Sequence, residues 1–473
     1  MMRKLMAAIA GLSLAALGLA AARADGTVTA FVGATVIDGT GAPPIADGVV
    51  VVGDDGRIAA VGPRRIVRIP DGARVFDGGG KWIIPGLIDA HIHFFQSGGL
   101  YTRPDVIDLR AVRPYEEELA RVKAGLKATF ARYLASGVTS VVDVGGPMWN
   151  FEVRELAEKT LLAPRVAVAG PLLATYVPAA LATGDPAIIK ITSPAEARAE
   201  VRRQLAHEPD LVKIWFVSPG LSIAREMEWV KAAVAESHAA GVRVVIHATR
   251  LRLARAVVEA GADILAHSID DRPVDDDLIE LMKARGVVYT TTMVVKEGYR
   301  EVFGQHVALT GIERRLGDRQ AIASFDDLDT LPRYLLPSWV RRRPPQPIDP
   351  VISRNLARVH AGGVIVAAGS DAGNIGTLHG PALHRELELM AREAGLAPMD
   401  VLVAATRGGA RVMGMSADLG TLEPGKLADM VILNADPLAD IRNTRGIHRV
   451  VKGGIVLDPE DIIRSMASEP VGP

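Results

Sequence analysis

The chain has 473 residues, with 54 Lys and Arg against 55 Asp and Glu, and no cysteine. This length accommodates one large domain with a sizeable core and a smaller second domain. The formal net charge of -1 gives no electrostatic reason to expect a nucleic-acid partner. Without cysteine there is no disulfide framework, and a bound metal must use other ligands.

The first segment has the pattern of an export signal. The basic pair Arg3-Lys4 precedes the charge-free stretch Leu5–Ala22, and Ala22-Arg23-Ala24 fits the small-x-small rule for cleavage. This pattern predicts a signal peptide over residues 1–24, cleaved after Ala24, and a periplasmic or secreted protein with no membrane association afterwards. An uncleaved membrane anchor is the alternative, although alanine and glycine make weak spanning segments.

Both ends of the mature chain have the residue pattern of short β-strands. In residues 25–84, Val49-Val-Val-Val52 precedes the turn pattern Gly53-Asp-Asp-Gly56. In residues 418–473, the stretches 427–433 and 448–457 are similarly rich in β-branched residues. We expect one small β-sandwich domain built from both chain ends.

Residues 85–417 alternate apolar strands with amphipathic helices such as Tyr115–Ser136, the pattern of a parallel α/β domain. Eight candidate strands predict a (β/α)8 TIM barrel. An open doubly wound sheet is the alternative, but no glycine-rich phosphate loop supports it. The candidate strands are Leu87–Phe94, Ser140–Val144, Arg165–Ala169, Leu211–Phe216, Arg243–Ala248, Asp263–Ser268, Val287–Thr292 and Val364–Ser370.

A long insertion, Met293 to Gly363, separates the seventh and eighth candidate strands. Insertions of this length in compact domains are commonly lids or binding loops. A solvated loop with a charge run is the equal alternative, since the insertion contains Arg341, Arg342 and Arg343.

Metal-binding residue types lie at the ends of the candidate strands. His91 and His93 are two residues apart on the first strand, so their imidazoles point to the same face. Each residue alone has a plainer interpretation: a hydrogen-bonded core histidine, a lysine at a sheet edge or an aspartate N-cap. Barrel strands end at a common catalytic rim. Six metal-binding residues on five strands therefore predict a metal site. The six are His91, His93, Lys213, His247, His267 and Asp371.

These motifs resemble the amidohydrolase superfamily, in the binuclear-metal class that uses a carboxylated lysine. They are Pro85-Gly-Leu-Ile-Asp-Ala-His-Ile-His93, Val212-Lys-Ile214, His247, His267, Gly369-Ser-Asp371 and Gly420-Thr-Leu-Glu-Pro-Gly-Lys-Leu-Ala-Asp429. Within the superfamily the chain is most similar to the imidazolonepropionase-like and prolidase-like branch. The resemblance implies two divalent metal ions and N6-carboxylation of Lys213. Ligands rich in histidine favour zinc.

Carboxylation of Lys213 has a physical basis, because a buried lysine loses its proton easily and the free amine can add carbon dioxide. An unmodified lysine paired with a carboxylate is the alternative. Our hypothesis is that His91, His93 and Asp371 bind one metal, His247 and His267 bind the other, and Lys213 bridges them. A metal-bridging hydroxide attacks the substrate carbonyl, and Asp371 is the proton shuttle.

We expect a small-molecule substrate with an amide or peptide bond, for example a dipeptide or an N-acyl amino acid. Arg341, Arg342 and Arg343 are candidate anchors for a substrate carboxylate, with surface solvation as the alternative. His379 is a second candidate contact, with a loop hydrogen bond as the alternative.

Other functions stay open for the same chain. They are a lactonase, esterase or organophosphate hydrolase on the same metal pair, a mononuclear aminohydrolase (deaminase), and a non-catalytic scaffold. Lys213 argues against the mononuclear class, and the complete ligand set argues against the scaffold. The sequence leaves open whether the protein is a homo-oligomer.

Overall fold

The computed structural model describes residues 27–181, 183–218, 222–332, 334–336 and 348–468. The predicted signal peptide and Arg341, Arg342 and Arg343 lie outside the described residues, so both stay predictions. Within the described ranges, no helix has the length and apolar composition needed to cross a membrane.

Strands from the two chain ends form one eight-stranded sheet. They are β1 (Thr29–Val36), β2 (Ile45–Val52), β3 (Ile58–Pro63), β4 (Arg74–Asp77), β5 (Trp82–Pro85), β16 (Met430–Leu433), β17 (Ile447–Lys452) and β18 (Ile455–Leu457). The valines of β2 fit a pleated surface, and in the turn that follows, the Gly53 amide donates to the Arg57 carbonyl at 2.8 Å. β5 lies between β1 and β16, so the two ends hydrogen-bond directly. A sandwich formed by this sheet stays a prediction.

The middle of the chain alternates strands and helices and forms two all-parallel sheets, which confirms an α/β architecture. The three-stranded sheet consists of β6 (Leu87–Ile92), β7 (Val138–Asp143) and β8 (Arg165–Val168). The seven-stranded sheet consists of β9 (Leu172–Ala174), β10 (Ile188–Lys190), β11 (Leu211–Trp215), β12 (Arg243–His247), β13 (Ile264–Ala266), β14 (Val288–Thr291) and β15 (Ile365–Ala368). All eight predicted strands overlap a strand of these sheets. β9 and β10 were not predicted.

Two isolated parallel bridges connect these sheets. Ala169, directly after β8, pairs with Leu211 at the start of β11, and Ile92 at the end of β6 pairs with Ala372 after β15. Parallel strands run in one direction, so their carboxyl ends lie along a common edge. The second bridge therefore brings the ends of β6 and β15 together, and the first joins β8 to β11.

The parallel strands are mostly apolar because both of their faces are covered. In β12, Val245 packs with residues of other strands, including Val142 and Ile264. Its neighbours Val244 and Ile246 belong to the larger cluster that contains the helices. Side chains alternate across the sheet in this way, which fixes the direction in which strand-end residues point.

The helices surround these strands. They are α1 (Tyr115–Ala124), α2 (Leu126–Ala135), α3 (Asn150–Glu158), α4 (Pro194–Leu205), α5 (Ile223–Ala239), α6 (Leu251–Glu259), α7 (Asp276–Arg285), α8 (Met293–Phe303), α9 (Gly311–Leu316), α10 (Arg319–Ala323), α11 (Pro350–Ala361), α12 (Ala382–Arg392), α13 (Pro398–Val403), α14 (Gly409–Met413) and α15 (Pro459–Ser468). The single helix predicted over 115–136 is two helices, because the chain breaks at Gly125.

The described part of the insertion is mostly helical, from α8 to the short 3-10 helix Ser324–Asp329. Phe303 and Phe325 pack with Leu100 and Ile375 in one apolar cluster. The described part of the insertion is thus fixed against the loop that follows β6. A lid function of the whole insertion stays a prediction.

Candidate metal centre

His91 and His93 lie at the end of β6, as the His-x-His spacing predicts. His91 is within the strand and His93 directly follows it. Both are buried, and their ring centroids are 5.5 Å apart. His93 Nδ1 donates to the Gly145 carbonyl at 2.6 Å, which fixes the ring orientation and leaves Nε2 for a ligand.

His247 and His267 complete a chain of four imidazoles. His247 is the last residue of β12, and His267 follows β13 by one position. The His267 ring centroid is 4.5 Å from that of His247 and 4.6 Å from that of His91. His267 Nδ1 is 2.7 Å from the Thr292 hydroxyl. Histidines from three different strands therefore meet at one place.

The carboxylate of Asp371 lies among these rings. Its Oδ1 is 3.6 Å from His91 Nε2 and 3.4 Å from His93 Nε2. Two ligand atoms that each lie about 2.1 Å from a tetrahedral ion are about 3.4 Å apart. The spacing of these three side chains therefore fits a shared cation.

Lys213 is buried in the middle of β11, with 1% of its surface exposed. Burial lowers the pKa of Lys213 to about 7, against an opposing effect of the Asp371 charge. A large fraction of the amine is therefore neutral near neutral pH, as carboxylation requires.

Burial also keeps the imidazoles neutral. Burial first, and then the charge of Lys213, lowers the pKa of His93 and of His247 to about 3. The pKa of His91 is lowered in the same way. Neutral imidazole is the form that binds metals.

Several buried polar atoms of this cluster have no hydrogen-bond partner among the described residues. They are both ring nitrogens of His91, Lys213 Nζ and Asp371 Oδ1. Buried polar atoms in folded proteins almost always have a partner. Four orphaned donor and acceptor atoms in one cluster of His, Lys and Asp are the ligand chemistry of divalent metal ions, so the residues present fit such a group.

Backbone strain marks two of the residues. His267 and Asp371 have φ angles of 72° and 54°, in the left-handed region that non-glycine residues rarely occupy. Such strain persists only where the surroundings impose it, and it concentrates at functional sites.

Two buried aspartates that we did not predict organise the strand ends. Asp89 accepts from the Ser370 amide at 2.8 Å, next to Asp371. Asp143 accepts from the amides of Phe94 and Gly145 at 3.1 and 3.0 Å, beside the carbonyl that holds His93. Both lie in predicted strands, and a charged residue within an apolar strand was the signal that could have revealed them.

A cavity of about 340 Å³ opens at this cluster. Its charged lining includes Arg103, Asp270 and Lys296, which lie in the loops and helix beyond the strand ends and were not predicted. Its apolar lining comes partly from β9, β10 and the segment between them.

The expected substrate contact by His379 is corrected by the structure. His379 is buried and does not line this cavity. Its ring nitrogens lie 2.8 Å from the Tyr133 hydroxyl and 2.7 Å from the Gln96 carbonyl. The side chain is held in the core by one hydrogen bond to helix α2 and by one to the loop after β6, and the second is the loop hydrogen bond that was the alternative.

Comparison with known proteins agrees with this architecture. The model of the amidohydrolase family matches residues 82–457. The chain belongs to the amidohydrolase family. It is 26% identical over 438 residues to an imidazolonepropionase of Rhizorhabdus wittichii, with 85% of this chain and 92% of that protein covered.

Two solved structures share the fold. A Xaa-Pro dipeptidase with bound methionine has a TM-score of 0.68 and 22% identity, over 91% of this chain and 100% of that one. The A. niger ochratoxinase also has a TM-score of 0.68 and 22% identity, over 91% of this chain and 96% of that one.

The predicted resemblance is thereby confirmed for both the superfamily and the imidazolonepropionase-like and prolidase-like branch. As an amidohydrolase, the chain is a metal-dependent hydrolase acting on carbon–nitrogen bonds.

Proposed function

We propose that this amidohydrolase cleaves an amide or peptide bond of a small molecule, with two divalent metal ions as cofactors. The observation that carries the proposal is the convergence of unpartnered, buried metal-ligand atoms on one cavity. The proposed ligands are His91, His93, Lys213, His247, His267 and Asp371.

One ion would be held by His91, His93 and Asp371, whose ligand atoms all lie within 4.8 Å of one another. The other would be held by His247 and His267. Zinc suits ligands of this type. When bound, the ions supply Lewis acidity and lower the pKa of water.

As a carbamate, Lys213 would be a ligand for both ions. Its neutral amine adds carbon dioxide, forms an N–C bond and releases one proton, and the product carries one negative charge shared by two oxygens. The lowered pKa of Lys213 supports this step, because only the neutral amine is nucleophilic.

Asp371 moves the proton. Its Oδ1 lies beside His91 and His93, while its Oδ2 lies 3.9 Å from His267 Nδ1. Oδ2 is thus left to accept a proton from the attacking water and to deliver it to the departing amine.

We also propose that β6–β8 and β11–β15 close into a (β/α)8 barrel. The bridges of Ala169 with Leu211 and of Ile92 with Ala372 support closure, as each joins one edge of the three-stranded sheet to the larger sheet. The proposal of a small-molecule substrate is supported by two similar proteins, an imidazolonepropionase and a Xaa-Pro dipeptidase.

The test is the substitution Asp371→Asn, which keeps the shape of the side chain and removes its basicity. We expect kcat to fall by about 10²–10⁴-fold, the usual contribution of general acid–base catalysis, while most of the bound metal is retained. Asp276→Asn on the exposed face of α7 is the control. An undiminished kcat in the Asp371 variant refutes the proton-shuttle role.

A further inference from the structure

The charged side chains that line the cavity differ in how available they are to bind a substrate. Of the described residues that line it, only Asp270 and Asp371 carry carboxylates. Asp371 belongs to the proposed metal centre. The internal stretches that the structure leaves undescribed, 182, 219–221, 333 and 337–347, contain no Asp or Glu. Asp270 is therefore the carboxylate available to a positively charged substrate group.

Asp270 already has a cationic partner. Lys296 Nζ, on α8, donates to Asp270 Oδ2 at 3.3 Å, and both side chains line the cavity. The Lys296 side chain is 53% exposed and that of Asp270 25%. A substrate ammonium would have to displace the lysine from the carboxylate and then remain close to the displaced charge.

Arg103, by contrast, has capacity for an anion. Its Nε and Nη2 donate to Asp105 at 2.8 and 2.6 Å, and its Nη1 donates to Asn374. A guanidinium has five N–H donors, so two stay available. Asp105, whose side chain is 8% exposed, fixes the orientation of the group, and Asn374 also accepts from the Tyr299 hydroxyl at 2.8 Å.

The apolar part of the lining favours an uncharged acyl group. Leu172, Ile188 and Trp215 contribute to an apolar wall, and burial of apolar substrate surface against such side chains is favourable. A hydrocarbon group is accommodated there, whereas an ammonium loses its hydration without gaining a carboxylate that is free of a cationic partner.

We infer that the enzyme selects N-acyl amino acids over dipeptides with a free α-amino group, with Arg103 binding the substrate carboxylate. This inference rests on the proposed function and narrows its substrate class. Lys296 is the specificity-determining residue, because its charge, paired with Asp270, repels a substrate ammonium that approaches this carboxylate.

The test compares two substrates that differ only in the ammonium. Alanyl-leucine and N-propanoyl-leucine share the scissile bond, the acyl skeleton and the leaving amino acid. We expect kcat/KM of the metal-loaded enzyme to be at least about tenfold higher for the propanoyl compound, which corresponds to about 1.4 kcal/mol.

Lys296→Met should reduce this preference by freeing Asp270, and Lys296→Met with Asp270→Asn should restore it. Lys283→Met, which removes a lysine paired with Glu280 on α7, is the control and should leave the ratio unchanged.

Equal or faster cleavage of alanyl-leucine by the unaltered enzyme overturns the inference while the proposed amide hydrolysis stands. An unchanged ratio in Lys296→Met overturns the role of Lys296. If neither compound is cleaved, nor matched pairs with other leaving amino acids, both the inference and the proposed function fail.

Discussion

Gly369 lies against His91 at the point where β15 reaches the metal centre. A Cβ at position 369 would be 2.7 Å from the His91 Cβ and 2.9 Å from the Thr290 Cγ2. His91 is on β6 and Thr290 on β14, so the flanking backbones are both held in sheets. A side chain at position 369 would displace His91 from its position in the metal centre.

We therefore expect Gly369→Ala to destabilise the fold by about 1–3 kcal/mol, the usual cost of overpacking, and to weaken metal binding by about 10–100-fold. Metal titration and urea unfolding measure the two effects. Gly311→Ala is the matched control, because a Cβ there meets no atom within 4 Å. Equal metal affinity in the two variants would contradict the account.

At this scale, candidate residues in or next to predicted strands were found from the sequence, whereas residues farther into loops were not. The alternation of side chains along a strand grouped His91 with His93, and Lys213 was found as a charge inside an apolar strand. The left-handed backbone of His267 and Asp371 has no signal in the sequence. Arg103 and Asp270 lie in loops, where no periodicity indicates which way a side chain points.

Arg385 on α12 holds the first helices of the insertion in place. It donates to Glu297 at 3.2 Å and Glu301 at 3.0 Å on α8, and to Glu313 at 2.7 Å on α9. Its side chain is 12% exposed. Because α8 carries Lys296, this contact fixes one wall of the cavity.

We expect Arg385→Ala to lower the free energy of unfolding by about 3–5 kcal/mol, because it leaves the buried carboxylate of Glu313 without a cationic partner. Arg392→Ala removes a half-exposed arginine of the same helix that also reaches Glu297 and should cost less than about 1 kcal/mol. Urea unfolding distinguishes them, and similar losses in both variants would show that Arg385 is not the main contact.

Long, strongly patterned elements were predicted more successfully than short ones. Eight of the ten strands of the parallel α/β region were found from their apolar runs. β9 and β10 are three residues each and lie in short apolar runs. β13 is equally short, but it lies within the longer predicted run Asp263–Ser268. The insertion was identified from its length alone. Its helices were not predicted, because they are stabilised by contacts such as those of Arg385.

For the whole molecule, the pairing of β5 with both β1 and β16 joins the chain ends around the parallel sheets. Short β-branched runs predicted strands at both ends, but the order of strands depends on long-range pairing that local sequence does not encode. The same holds for the metal centre, which exists only once distant strands are brought to one edge.

Anomalous diffraction from crystals of the metal-loaded enzyme tests the central claim most directly. We predict two metal peaks within the cluster, one beside His91, His93 and Asp371, the other beside His247 and His267, with density for a carboxylated Lys213 between them. Metal peaks located elsewhere, or an unmodified Lys213 directed away from them, would contradict the account.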